Sequence, residues 1–327
     1  MASQTDLAPP LHYHIPSSFD PLNTYMAEAK LDISGNGLYE SLRSGLTVAE
    51  VQDIETGKVL HVTCSCFDSY GTAWFGQISG VRKYDLSDED YRRLLKPIPD
   101  EQVYPLAPPG LDVHDPKDTD GYYIKRANLI GFDDAEVAKT LPRILLEEAK
   151  VLQSLKQRHH LNLVKYYGCN LKGDRIAGLV LKKYPKTLQQ YFLQDYYDFS
   201  DFDAKACMKG LRSGIQHLHS LGLAHNDLNP MNAALDGDNK VVILDLGSCR
   251  GFGEELISAG TAGWFDEDSP DWAISAKAHD EFALQKIESW LDSKRLERLA
   301  RRRESEVSPQ ERFNDCPNLN SVGVVSV

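Results

Sequence analysis

The chain has 327 residues, of which 42% are hydrophobic and 26% are charged, as in ordinary soluble globular proteins. This length allows a sizeable hydrophobic core and is typical of two lobes or domains. The formal net charge of -12 argues against nucleic acid as the main partner, because binding to phosphates favours a basic surface.

The sequence of the N-terminus and the spacing of the cysteines indicate where in the cell the protein is expected. No apolar run approaches the roughly 18 residues that a membrane-spanning helix requires. Residues 1–20 have neither a basic start nor an apolar core, so they do not resemble a secretory signal. The six cysteines form no dense framework, and Cys64 and Cys66 have no second Cys or His pair at zinc-like spacing. We therefore expect reduced thiols in a cytoplasmic or nuclear protein.

The N-terminal third is predicted to be a tail followed by a small β/α extension. Residues 1–34 are rich in Pro, Ser and Asp without hydrophobic periodicity, which is typical of a disordered tail. Alternating apolar and polar residues over Leu46–Phe67 predict a β-hairpin. A short strand is expected at Ala73–Ile78, and capping chemistry at Ser87 predicts a short helix.

An irregular connector is predicted next, because residues 97–116 contain six prolines and one glycine. A compact strand is expected from Gly121, and a helix from Ile144. Two further strands are expected from Leu161 and Ala177. Two more helices are predicted, starting near Met208 and His279.

The stretch between residues 223 and 249 carries the most specific motif. His225, Asp227 and Asn232 form an H-x-D-x-x-x-x-N array, and Asp245 follows a β-branched strand and precedes a Leu-Gly pair. This array resembles the catalytic and metal-binding loops of the eukaryotic protein kinase family, HRDxxxxN and DFG. The resemblance covers about residues 122–291.

The resemblance implies an α+β, two-lobed protein kinase-like fold. Residues 117–184 would form a β-rich small lobe, and residues 185–303 a mostly helical, shortened large lobe. Residues 35–116 would then be an N-terminal β/α extension with its connector, and residues 304–327 a disordered tail.

The resemblance also implies roles for five residues of the small lobe. Lys125 would contact the α- and β-phosphates of ATP, and Glu148 would pair with Lys125. Leu181 would take the gatekeeper position, and the backbone of Lys182 and Tyr184 would bind the adenine edge.

In the large lobe, Asp227 would orient the substrate hydroxyl and accept its proton, with Asn232 beside it. Asn232 and Asp245 would hold Mg²⁺ through oxygen ligands. His225 is interpreted as a packing residue. Asp280 would brace the catalytic loop, and residues 260–264 resemble the GTxGY/W stretch that closes a kinase activation segment.

Four departures from the family pattern limit these implications. Asn226 replaces an arginine, so we expect no control by phosphorylation of the activation loop. Asn229 replaces a lysine that would neutralise the γ-phosphate. No G-x-G-x-x-G precedes Lys125, and the APE motif is absent.

Three hypotheses therefore remain open. The chain could be a divergent kinase that transfers the ATP γ-phosphoryl group to Ser or Thr of an unknown protein. It could be a catalytically weak pseudokinase or scaffold. Because aminoglycoside and choline kinases also lack the lysine that Asn229 replaces, it could instead phosphorylate a small molecule. The oligomeric state does not follow from the sequence.

Overall fold

The computed structural model describes residues 45–53, 56–116, 121–194, 202–258 and 260–306. Its mixture of antiparallel sheets and helices confirms the predicted α+β class. The predicted tail of residues 1–34 lies outside the described residues, and so does the predicted tail of residues 304–327 except for residues 304–306, which form the end of the last helix.

An antiparallel sheet forms the N-terminal extension. Its strands are β1 (Thr47–Gln52), β2 (Val59–Phe67), β3 (Ala73–Ser79) and β4 (Lys96–Pro97), paired in the order β1-β2-β3-β4. The predicted hairpin is thus present as β1 and β2. Helix α1 (Asp88–Leu94) joins β3 to β4 and begins with a capping box between Ser87 and Asp90.

The connector is more ordered than its prolines predict. It contains the short helix α2 (Asp100–Val103), and the side chains of Val103 and Tyr104 are fully buried. The Tyr104 hydroxyl donates to the Gly71 carbonyl at 2.5 Å, which ties the connector to the β2–β3 turn. Burial of a large ring with a satisfied hydroxyl orders this segment despite its composition.

The small-lobe sheet contains β5 (Tyr122–Lys125), β6 (Tyr166–Lys172) and β7 (Arg175–Lys182) in the order β5-β7-β6. Helix α3 (Ala135–Lys156) lies between β5 and β6, and it begins nine residues before Ile144. Asp134 caps it by accepting bonds from two backbone N–H groups, which favours a helix start at this position, and Pro142 lies in the helix interior.

The large lobe contains helices α4 (Leu188–Gln194), α5 (Ala204–Ser220) and α6 (Lys277–Glu306). Its short strands are β8 (Lys186–Thr187), β9 (Leu223–Ala224), β10 (Ala233–Leu235), β11 (Val241–Ile243) and β12 (Arg250–Gly251). They form one sheet in the order β11-β10-β8 and a second that pairs β12 with β9. Since β8 pairs with β10, the chain leaving the small lobe is joined to the strand that follows Asn232.

The extension packs on the loop between β5 and α3. His61 of β2 bonds to Asp133 at 2.6 Å, next to the cap of α3. The rings of Phe75 and Phe132 lie 5.2 Å apart. The guanidinium of Arg126, the residue after β5, lies 5.5 Å from the Phe67 ring centre. These contacts connect the extension directly to the helix that carries Glu148.

Among the described residues, all five cysteines are free and buried. Burial raises the pKa of the Cys64 thiol to about 11, and burial together with neighbouring negative groups raises that of Cys66 to about 12. Within the same residues, no helix is long and apolar enough to cross a membrane.

Candidate active site

The end of β5 and the middle of α3 meet through an ion pair. Lys125 Nζ donates to both carboxylate oxygens of Glu148, at 2.8 and 2.6 Å. Glu148 is 2% exposed and also accepts from the Leu246 backbone N–H at 3.1 Å. The pairing that the sequence predicted is therefore present, and it anchors α3 to the residue after Asp245.

Asp245 lies against the same lysine. Lys125 Nζ donates to Asp245 Oδ1 at 2.6 Å, and the Gly247 N–H donates to the same oxygen at 3.1 Å. Asp245 has φ +49°, a left-handed conformation that aspartate adopts more readily than most residues. Its side chain is 41% exposed, against 19% for Lys125, so the carboxylate remains accessible from the cleft.

Lys125, Glu148 and Asp245 form a charged triad in which each group affects the pKa of the others. Burial opposes the charge of Lys125, but the two carboxylates outweigh it and raise the Lys125 pKa. Desolvation also acts on Asp245, yet the lysine charge and its hydrogen bond lower the Asp245 pKa below its usual value. For Glu148, burial dominates and the pKa is raised. The triad thus keeps a protonated lysine and an ionised Asp245 at neutral pH.

Both carboxylate oxygens of Asp227, in the predicted catalytic loop of residues 225–232, accept hydrogen bonds. Oδ1 accepts from the Thr261 N–H at 2.7 Å, and Oδ2 accepts from Asn232 Nδ2 at 3.0 Å. Asn232 Nδ2 also donates to the Asp227 carbonyl at 2.9 Å, so two hydrogen bonds fix the orientation of this amide. Burial raises the pKa of Asp227, against the lowering effect of the Thr261 bonds.

Asn229 has a role that the sequence did not indicate. Its Nδ2 lies 3.2 Å from Asp227 Oδ1 and 3.1 Å from Thr261 Oγ1, so it bridges the catalytic loop and the activation segment. Its Oδ1 accepts from the backbone N–H groups of Met231 and Asn232. The amide supplies these bonds without the positive charge of a lysine. The position of Thr261 in the GTAGW stretch was the available signal in the sequence.

Buried polar side chains bind the backbone of the loop that contains Asp227. Asp280 of α6 is fully buried and accepts from the backbone N–H groups of His225 and Asn226, both at 2.9 Å. Both ring nitrogens of His225 bond to backbone, with Nε2 donating to the Leu244 carbonyl at 2.8 Å. These contacts fit the predicted brace and the predicted packing residue.

Asn226, where the family has arginine, is 3% exposed and has φ +64°. Its Nδ2 lies within 3.0 Å of the Ala224 and Ser248 carbonyls and of Ser275 Oγ. His279 Nδ1 lies 3.2 Å from its Oδ1. An uncharged amide therefore joins the catalytic loop to both ends of the segment that follows Asp245.

The predicted hinge lies where β7 ends. Leu181 is 4% exposed and Lys182 is exposed, with the Lys182 N–H donating to the Lys165 carbonyl at 2.9 Å. The Tyr184 hydroxyl lies 3.4 Å from the Lys165 backbone nitrogen, and burial raises the Tyr184 pKa. The structure thus places these residues at and just beyond the end of β7, and their binding of adenine stays a prediction.

The oxygen ligands that Asp245 and Asn232 offer suit an Mg²⁺ ion that is also bound by phosphates better than a metal ion bound by protein side chains alone. Among the described residues, no group of three or more His, Cys, Asp or Glu side chains could hold a metal ion. Asp245 and Asn232 offer one carboxylate and one amide oxygen. Magnesium held by so few protein ligands completes its coordination with water and substrate phosphates.

Comparison with known proteins agrees with this geometry. The family model of the protein kinase domain matches residues 119–265. The human protein named serine/threonine-protein kinase/endoribonuclease IRE2 is 27% identical over 190 residues, which are 52% of this chain and 20% of that protein. The serine/threonine-protein kinase/endoribonuclease IRE1 of Hypocrea jecorina is 30% identical over 140 residues, 37% of this chain and 11% of that protein.

A third similar protein is the Schizosaccharomyces pombe sensor for unfolded proteins in the ER, ire1. It is 32% identical over 116 residues, 33% of this chain and 10% of that protein. The chain therefore spans a fifth or less of the length of these curated relatives.

Proposed function

We propose that this chain, whose residues 119–265 match the family model of the protein kinase domain, is an ATP-dependent kinase that phosphorylates Ser or Thr of a protein. The observation that carries the proposal is the convergence on one lysine. Lys125 is within 2.6 Å of both Glu148 and Asp245, although these residues come from a strand, a helix and a loop far apart in sequence. The names of two similar proteins include serine/threonine-protein kinase, which supports the choice of acceptor.

Each residue has a chemical task in this proposal. Lys125 binds the α- and β-phosphates, while Asp245 and the Asn232 amide oxygen hold Mg²⁺. When bound, Mg²⁺ neutralises charge on the phosphates. Asp227 orients the incoming hydroxyl and takes its proton. Its raised pKa makes it a better proton acceptor than an aspartate with an ordinary pKa.

One observation favours a small-molecule kinase as the second candidate. Asn229 bridges Asp227 and Thr261 without supplying a cation, which the first candidate would use to neutralise the γ-phosphate. The bond from Thr261 favours the protein kinase, because it places the segment after Asp245 directly against the catalytic carboxylate.

The test compares wild type with Asp227→Asn, using Asp238→Asn as the matched control because Asp238 is 77% exposed in a turn. Transfer of labelled γ-phosphate to Ser or Thr in a protein panel is expected for wild type and the control only. Binding of Mg·ATP, measured by thermal unfolding, should persist in Asp227→Asn. Ligand at 100 times its Kd stabilises a protein by about 2.7 kcal/mol.

Other outcomes separate the alternatives. Phosphorylation of small hydroxyl compounds but not of proteins would favour the second candidate. Absence of stabilisation by millimolar Mg·ATP would favour a scaffold. Full transfer activity in Asp227→Asn would overturn the role given to this aspartate.

A further inference from the structure

The sheet of the N-terminal extension has two sides with different partners. Successive side chains of a strand lie on opposite sides, so Cys64 of β2 lies on one side, and His61 and Phe67 lie on the other. Cys64 belongs to a small apolar cluster that is covered by α1. Phe75 of β3 shares the side of His61, because it pairs directly across from Ser65. We call the side that contains His61, Phe67 and Phe75 the loop-facing side.

The loop-facing side holds the first end of the loop between β5 and α3. Arg126 directly follows Lys125, the last residue of β5, and its guanidinium lies 5.5 Å from the Phe67 ring centre. This distance is within the range of a cation–π contact. Arg126 Nη1 also donates to the Ala177 carbonyl of β7 at 3.3 Å. The extension and the small-lobe sheet therefore hold the same side chain, one residue from the lysine of the ion pair.

The loop-facing side also holds the other end of this loop, beside the cap of α3. His61 Nε2 lies 2.6 Å from Asp133 Oδ2, and Asp133 directly precedes the capping residue Asp134. The Asp133 side chain is 10% exposed, and its Oδ1 is buried without a hydrogen-bond partner among the described residues. Removal of His61 would leave both carboxylate oxygens unsatisfied, which favours movement of Asp133 toward water together with the start of α3. Phe75 packs beside this bond, with its ring 5.2 Å from the Phe132 ring.

The two held ends belong to the two elements that form the ion pair. Lys125 ends β5, and Glu148 lies in α3, with Lys125 Nζ at 2.8 and 2.6 Å from the two Glu148 oxygens. A helix is stiff along its axis, so sliding of its start displaces Glu148 in the same direction. A shift of about 1 Å takes these bonds beyond hydrogen-bond length. The extension lies outside residues 119–265, which match the family model, so this support is additional to the matched region.

We propose that the loop-facing side of the extension positions the Lys125–Glu148 pair, with His61, Phe67 and Phe75 as positioning residues. They act by fixing the distance between the end of β5 and the start of α3. The inference rests on the proposed function only for its effect on phosphate transfer, because the ion pair is present without a nucleotide.

Hydrogen exchange of the Leu246 amide, followed by NMR, measures the position of Glu148 without nucleotide. This N–H donates to Glu148 Oε1 at 3.1 Å, so it exchanges faster when Glu148 moves away. His61→Ala should raise the exchange rate of Leu246 roughly tenfold, near the low end for one hydrogen bond to a charged group. The amide of Ile215, which is 2% exposed in α5, should keep its wild-type rate.

Rescue and turnover separate positioning from general support of the fold. His61→Gln keeps an N–H donor and should retain the wild-type exchange rates. Tyr84→Ala, at a tyrosine that is 80% exposed in the extension, is the matched control and should also retain them. In the transfer assay, His61→Ala should lower kcat roughly tenfold, since small displacements of positioned groups slow catalysis strongly. In the Glu148→Gln background it should cause no further loss, because the pair that His61 positions is already broken.

Equal acceleration of exchange at Leu246 and Ile215 would overturn the proposal, because His61 would then support the whole fold. An unchanged Leu246 rate in His61→Ala would overturn it as well. So would a full additional loss of kcat when His61→Ala is combined with Glu148→Gln. Absence of phosphate transfer by the wild-type protein would refute the proposed function alone, since exchange at Leu246 requires no turnover.

Discussion

Replacing Lys125 with methionine isolates the energetic role of the triad. Methionine keeps much of the apolar stem but removes the charge that pairs with Glu148, which is 2% exposed. Breaking a buried ion pair by removing one partner costs about 3–5 kcal/mol. Since the Lys125 side chain is 19% exposed and that of Asp245 is 41% exposed, water offsets part of this cost. We expect Lys125→Met to lower the free energy of unfolding by about 2–4 kcal/mol at pH 8.

The loss should depend on pH in a defined direction. Burial already raises the pKa of Glu148, and removal of the lysine raises it further. A carboxyl group whose pKa is higher in the folded state favours folding when protonated and loses that contribution as pH rises through the folded pKa. The cost of Lys125→Met should therefore be smaller at pH 5 than at pH 8.

Urea unfolding at both pH values measures these differences. Lys240→Met is the matched control, because it removes a lysine paired with Asp238 at 3.3 Å on the surface and should cost less than about 0.5 kcal/mol. The double variant Lys125→Met with Glu148→Gln should recover much of the loss at pH 8, since no buried charge remains unpaired. A double variant no more stable than Lys125→Met, or a cost independent of pH, would refute this account.

Two further predictions concern the catalytic loop and the small-lobe sheet. Burial raises the Asp227 pKa, so activity should fall on acidification. Asn229→Lys adds a cation beside this carboxylate and lowers its pKa, so it should shift the acid limb of the kcat/KM profile to lower pH. An unchanged acid limb would contradict the position of Asn229 beside Asp227. Gly178→Ala should destabilise the fold by about 1–3 kcal/mol in urea unfolding, because a Cβ there would lie 2.6 Å from Ile124 Cγ2. Gly237→Ala is its control, since a Cβ there would meet no atom within 4 Å, and equal costs at the two glycines would argue against steric crowding.

Local patterns were sufficient for much of the fold. Alternation identified the β1–β2 hairpin, and helical spacing identified the buried face of α3 that includes Leu145 and Leu152. The start of α3 was predicted nine residues too late, since the capping bonds of Asp134 carried no periodic signal. The burial of Tyr104 likewise depends on its distant partner Gly71, which composition cannot reveal.

Some contacts of the candidate site could be predicted from the sequence, and others depend on the tertiary structure. The relation between Lys125 and Glu148 follows from strand and helix spacing together with the family resemblance, and the structure contains that pair. The bridge from Asn229 to Thr261 joins two loops, so it depends on tertiary structure.

The buried cysteines provide a natural reporter of local opening. Thiolate is the reactive form, so thiols that are both inaccessible and raised in pKa react slowly with alkylating reagents until their surroundings separate. Cys64 lies in the extension, Cys169 in the small-lobe sheet and Cys207 in the large lobe. Mass-resolved alkylation of the native protein would thus time the opening of each region separately, without any engineered label.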